Sequence, residues 1–177
     1  MKKTLLLMAV TLFCCSAFAQ EIEIEKSKSK TVEFMVKEGS LMKKEYYELD
    51  KVKGIDVCRV LIVTDLISNE KKGCLLLTTG LVYTGVIDQD EIGACMRSIA
   101  YIKDNLLPKK PSMQTEVNYL TRDKVSIGAN YEKRNWSAFI QTKPYTLESI
   151  SYFSTQELKS LLNMMTQAQK LIEEKTK

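Results

Sequence analysis

The apolar and polar positions of the chain change period several times. Val32, Phe34 and Val36 alternate with polar neighbours except at Met35, the period-two pattern of a strand, and Glu38-Gly39-Ser40 punctuates it. A second strand is expected through Leu41 to Leu49. Val57 to Leu66 is β-branched and almost continuously apolar, as in a strand covered on both faces. Ser68 to Gly73 reads as a polar turn, with strands over Cys74 to Thr78 and Val82 to Ile87. The period then lengthens. Ile92, Cys95, Ile99, Ile102 and Leu106 fall on one face of a helix. Asp88 is placed to cap it, with Glu91 three residues on completing a capping box. Pro108 ends it, and Pro108 to Pro111 forms a stiff connector.

The second half follows the same plan. Val125, Ile127, Ala129 and Tyr131 alternate with polar partners, as do Trp136, Ala138 and Ile140. Tyr145 to Phe153 is expected to form another strand. Arg122-Asp123, Lys133-Arg134 and Lys143-Pro144 supply the turns. Ser154, with Glu157 three residues on, is expected to cap a last helix whose stripe is Leu158, Leu161, Leu162, Met165, Ala168 and Ile172. Val86 to Ile92 and Tyr152 to Leu158 match in kind at every place: apolar pair, cap, two polar residues, glutamate, aliphatic. The expected fold is therefore α+β, with antiparallel sheet from two tandem β-meander-plus-helix repeats, about 49–107 and 115–173, packed into one domain over 31–177. Each unit alone would leave a sheet face and a helix stripe uncovered, and packing them together buries both.

The amino terminus carries a different signal. Lys2 and Lys3 precede an apolar run from Thr4 to Cys15, and Ala17-Phe18-Ala19 offers a small-x-small cleavage site. These are the three parts of an export signal over residues 1–19, cut before Gln20. The run is shorter than the roughly 20 residues a membrane span needs. Phe13 precedes Cys14 and a cysteine precedes Cys15, which argues against lipid modification of either. Residues 20–30 (QEIEIEKSKSK) read as a polar tether, with Glu21 to Glu25 able to pair as an edge strand. The expected location is periplasmic or secreted, with no transmembrane segment.

Two stretches resemble a group of small exported bacterial proteins of unknown function: Val86 to Ile92 running into Ser98 to Ile102, and Tyr119 to Gly128. The resemblance implies export and a common fold and transfers no functional residue. The order of four strands and a helix, twice, is similar to Whirly-type and Pur-type single-strand nucleic-acid binders, by fold analogy alone.

Composition narrows the chemistry. The chain has no histidine, which excludes imidazole-based triads and the common catalytic zinc sites. No spaced acidic loop for calcium is present, and no metal or cofactor is expected. The formal charge is +4, of which Lys2 and Lys3 belong to the export signal; such near-balance argues against a polyanion partner. Cys58, Cys74 and Cys95 fall in apolar runs and read as core thiols, one disulfide being the alternative. Asp88, Asp90 and Glu91 form the tightest acidic cluster, read as helix-capping rather than as acid–base machinery. Ser27, Ser40 and Ser68 each precede a lysine by three residues, a pattern read as chance. Trp136, Tyr131 and Phe139 are the candidate ligand-binding residues, against a reading as core. The functional expectation is an exported, non-enzymatic binding or structural protein with a protein or glycan partner in the envelope. A carboxylate-dependent hydrolase of glycan or peptide is the alternative, and single-strand binding on the sheet face a further one.

Overall fold

The structure, a computed structural model, describes residues 29–177. The expected export signal and cleavage site, and residues 20–28 of the expected tether, lie outside the described residues. Helix α1 (Lys30–Met35) opens the fold. Strands β1 (Met42–Glu48), β2 (Val57–Asp65), β3 (Lys71–Thr79) and β4 (Tyr83–Asp88) follow as one antiparallel meander. Helix α2 (Gln89–Tyr101) continues into a π-helical turn at Ile102–Leu106. A second antiparallel meander comprises β5 (Thr115–Leu120), β6 (Ser126–Glu132), β7 (Asn135–Gln141) and β8 (Ile150–Phe153), and α3 (Glu157–Lys175) closes the chain. The fold is α+β with two four-stranded antiparallel sheets.

One core joins both sheets to both long helices. Cys58, Val60 and Ile62 of β2, Leu75 and Leu77 of β3, and Ile87 of β4 face Ile92, Cys95 and Ile99 of α2 and Leu158, Leu161 and Met165 of α3. Val125, Ile127, Ala138 and Ile140 enter from the second sheet. Both helix stripes are buried except for the half-buried Leu106 and Leu162, and Met164 joins the buried face of α3. The sheets meet at Gly85, where a Cβ would stand 2.3 Å from Val125 Cγ2 and 3.0 Å from the Thr142 carbonyl oxygen. Only glycine permits that approach.

β2 is covered on both faces. Leu61 and Val63 alternate away from the main core and, with Cys74 and Val86, form a second cluster under Phe34, Val32 and Met35. That cover comes from α1, which corrects the expected strand over Val32 to Val36. Ser29 Oγ accepts from Val32 N at 3.2 Å, and Thr31 and Phe34, three apart, are the buried positions. A helix presents Phe34 and Met35 together to the sheet, where a strand would send them to opposite sides. Ser29 and Lys30, expected in the tether, are the cap and first residue of this helix; Ser29 is buried.

Other boundaries move as well. The expected strand over Tyr145 to Phe153 is a turn at Pro144–Tyr145, a 3-10 turn at Leu147–Ser149 and β8 alone. Ser154 does not cap α3 directly. Its Oγ accepts from Gln156 N at 3.3 Å and its carbonyl from Glu157 N at 2.9 Å, forming a serine turn one step ahead of the helix. β5 is not among the strands the pattern predicts, and β3 starts at Lys71, inside the expected turn.

Cys58, Cys74 and Cys95 are free and buried. Burial pushes the Cys74 and Cys95 thiols up to about 12 and raises that of Cys58. Two outcomes follow for a chain beginning at Gln20. A thiol reagent should modify none of the three at neutral pH until denaturant is added. Stability should also fall as pH rises above about 8.5, where unfolded thiols ionise and folded ones do not. Phe34→Ala, which uncovers one face of β2 and β3, should cost about 3 kcal/mol in urea unfolding; a loss under about 0.5 kcal/mol would mean α1 does not seal the sheet.

Candidate functional site

Two places concentrate unusual chemistry: an ion cluster where α1, α2 and the β5–β6 turn meet, and a pair of apolar turns, the loop of one reaching the cluster through Lys143 Nζ, 3.9 Å from Asp123 Oδ2.

In the cluster, Asp88 is 2% exposed and receives four donors. Ser29 Oγ donates to Oδ1 at 2.8 Å, Thr31 N to Oδ1 at 3.0 Å, Lys30 N to Oδ2 at 2.8 Å, and Arg122 Nη2 to Oδ2 at 3.1 Å. Asp88 does stand at the N-cap position of α2, yet its side chain makes no capping bond there. It serves the first amides of α1 instead. Glu91, the other half of the expected capping box, accepts from Arg122 N at 2.9 Å. Both acids turn from their own helix to distant segments.

Arg122 is the hub. Its two terminal nitrogens fork across the Asp90 carboxylate, and Nη2 lies 3.4 Å from Glu91 Oε2. Lys30 Nζ adds a 2.8 Å contact to Asp90 Oδ2. The guanidinium, then Lys30, hold the Asp90 carboxyl well below the usual carboxylate range. Next to this hub, Asp123 Oδ2 accepts from Val86 N at 3.0 Å, tying the β5–β6 turn to β4. The three carboxylates of the expected acidic cluster thus share one guanidinium. Such an arrangement clamps segments together; Asp88 and Asp90, so held, line one side of a cavity of about 420 Å³ together with Lys30, Lys72 and Glu173.

The aromatic candidates separate. Tyr131 and Trp136 pair across β6 and β7 with ring centroids 5.2 Å apart, on the same sheet face as Ala138 and Ile140. Tyr131 is buried, and Trp136 Nε1 donates to the Lys109 carbonyl at 2.8 Å, pinning the connector after α2. Phe139 is buried on the opposite face, 6.1 Å from the exposed Tyr152. The three residues form no single surface. On the Phe139 face the strands carry Glu116, Asn118, Asn130, Ser137 and Gln141 and no lysine or arginine.

The second place was not singled out by sequence. The β3–β4 turn exposes Leu81 (82%) and Val82 (72%), and the loop between β7 and β8 exposes Tyr145 (100%) and Leu147 (79%). These turns abut: a Cβ at Gly80 would lie 2.5 Å from the Glu148 carbonyl oxygen. Buried hydroxyls lock them. Thr79 Oγ1 and Thr142 Oγ1 are 2.6 Å apart, with the Ser149 carbonyl 2.7 Å from the first and the Tyr83 carbonyl 2.9 Å from the second. Leu81 N donates to Asp56 Oδ2 at 2.9 Å. Leu81 has φ +68 and Tyr145 φ +59, where bulky side chains are disfavoured and glycine or asparagine is the usual occupant. Large apolar side chains are therefore held outward, in strained backbone, by a rigid base.

For the cluster, Arg122→Ala should cost about 3 kcal/mol in urea unfolding, because it leaves the buried Asp88 with three neutral donors and no counter-charge. The lowered Asp90 value gives the pH sign. Its stabilisation is complete above the unfolded value of about 3.9 and is lost as pH falls through the folded one. Asp90→Asn should thus flatten the acid limb below pH 4, whereas an unchanged limb would show Asp90 to be uncoupled.

Comparison with protein-family models, with curated proteins and with solved structures returned no match to this chain.

Proposed function

We propose that this is an exported, non-enzymatic binding protein of the cell envelope or exterior, which engages its partner through the paired apolar turns. The observation that carries this reading is the strained display of Leu81 and Tyr145. An αL conformation costs a non-glycine residue of order 1–3 kcal/mol, and neither side chain repays that cost by packing within the chain. Together with Val82 and Leu147 they make several hundred Å² of clustered apolar surface, in the range at which such patches mark interaction sites. The reading of export rests on the amino-terminal pattern of charge, apolar run and small residues. We also read the two meander-plus-helix units as a duplication, on the matched residues that lead into each helix.

The hydrolase alternative needs two carboxylates converging on open space, and it is disfavoured by the Arg122 clamp on Asp88, Asp90 and Glu91. Single-strand binding needs a basic, aromatic face, and the outer face around Phe139 offers aromatics with acids and amides.

The deciding experiment uses Leu81→Gly and Tyr145→Gly. Each should leave thermal stability unchanged or raise it by up to about 1 kcal/mol, since relief of backbone strain outweighs glycine's added unfolded-state entropy. The double variant should nevertheless lose retention on an isolated envelope fraction. Undiminished retention would remove the turns from the function, and glycan or peptide turnover abolished by Asp90→Asn would replace binding with catalysis.

A further inference from the structure

The second sheet ends in β5, and among the described residues no strand pairs with its outer edge. The phase of that edge follows from the hairpin. Thr121 N donates to the Val125 carbonyl at 2.9 Å, and the register runs from Leu120↔Ser126 to Thr115↔Tyr131. Bonded and non-bonded pairs alternate in an antiparallel ladder. Thr115, Val117 and Tyr119 therefore bond to β6, while the N–H and C=O groups of Glu116, Asn118 and Leu120 point away from it.

Of these, Asn118 borders a groove of about 470 Å³ between β5 and α2. Its α2 wall carries the small residues Ala94 and Ser98 and the exposed Tyr101, with Ile102 and Leu106 of the π-helical turn beyond them. Val117 and Asn118 form the β5 side. Arg97 also lines it, is exposed, and forms an ion pair with no carboxylate among the described residues. This contrasts with Arg122, which has three carboxylate partners one helix end away.

We propose that β5 takes up an extended segment of a partner protein as a fifth strand, with apolar side chains on the face toward Ile102, Leu106 and Val117 and a carboxylate side chain against Arg97. Edge amides left to water can exchange it for another backbone, since an extended chain supplies donors and acceptors at their spacing. The lone cation selects an acidic segment over a basic one. This site is separate from the apolar turns and does not depend on them.

The test uses the full mature chain and two labelled seven-residue peptides, one alternating glutamate with isoleucine and one alternating lysine with isoleucine, in fluorescence polarisation. The glutamate peptide should bind and the lysine peptide should bind at least tenfold more weakly. Asn118→Pro removes one outward donor and leaves the β6 ladder bonds in place, as edge strands tolerate, but also removes the 2.6 Å bond from Asn118 Nδ2 to Ser126 Oγ. It should weaken the glutamate peptide at least tenfold, whereas Asn118→Ala, which loses the side-chain bond and keeps the outward amide, should not. Arg97→Glu should reverse the preference between the peptides. Failure of the glutamate peptide to bind at millimolar concentration, or binding indifferent to both Asn118→Pro and Arg97→Glu, overturns the proposal. So does a dimer in sedimentation that Asn118→Pro dissociates, or glutamate-peptide binding that rises at least tenfold once residues 20–28 are removed, because β5 would then be covered by a second copy or by the chain's own Glu21 to Glu25.

Discussion

Asp88 keeps a charged carboxylate almost out of contact with water, and burying a charge costs several kcal/mol unless it is paired and hydrogen-bonded. Its four donors come from two segments far apart in sequence, the start of α1 and the β5–β6 turn. Satisfying that one group therefore fixes where three pieces of chain must lie. α1 is placed on the outer face of the first sheet, and Arg122 brings the second meander against the start of α2. Asp123 then occupies the edge amide of Val86, so that β4 is closed where the sheets meet. The apolar core supplies most of the stabilisation, and the ion cluster sets the relation between its layers.

The same reasoning separates structural from functional features. A buried carboxylate held by several donors from distant segments stabilises a fold, and Asp88 belongs to that class. Exposed apolar side chains on turns whose backbone is held in the left-handed region differ from it, since they add no packing to the fold. Leu81 and Tyr145 are such residues. They stand on turns whose buried base, Thr79, Thr142 and Ser149, is fully enclosed. Rigidity beneath and exposure above are what preorganised contact requires, because little further ordering is lost on binding.

Much of the fold was legible because apolar periodicity reports burial directly. β2, the stripes of α2 and α3, and the meanders follow from it. α1 was not, since Val32, Phe34 and Val36 mimic a strand; Ser29 three residues before Val32, with Glu33 in the first turn, was the helical cue. The acidic residues at the start of α2 were conspicuous, but their partners were not. Nothing local to Asp88 indicates that it serves Lys30 and Thr31 amides and Arg122. Tyr131, Trp136 and Phe139 are near in sequence, and the sheet's period of two already divides Trp136 from Phe139. The paired turns carried no signal, because Leu81 and Tyr145 occupy places where turn chemistry favours glycine.

If Asp88 is the group on which the arrangement of layers depends, its loss must release α1 before it disturbs the sheets. Amide hydrogen exchange on Asp88→Asn tests this directly. The account predicts that Phe34 and Met35 lose protection and that the Cys74 thiol, beneath α1, becomes reactive, while amides of β2, β6 and β7 keep theirs. Retained protection across α1 with uniform loss in the sheets would contradict it.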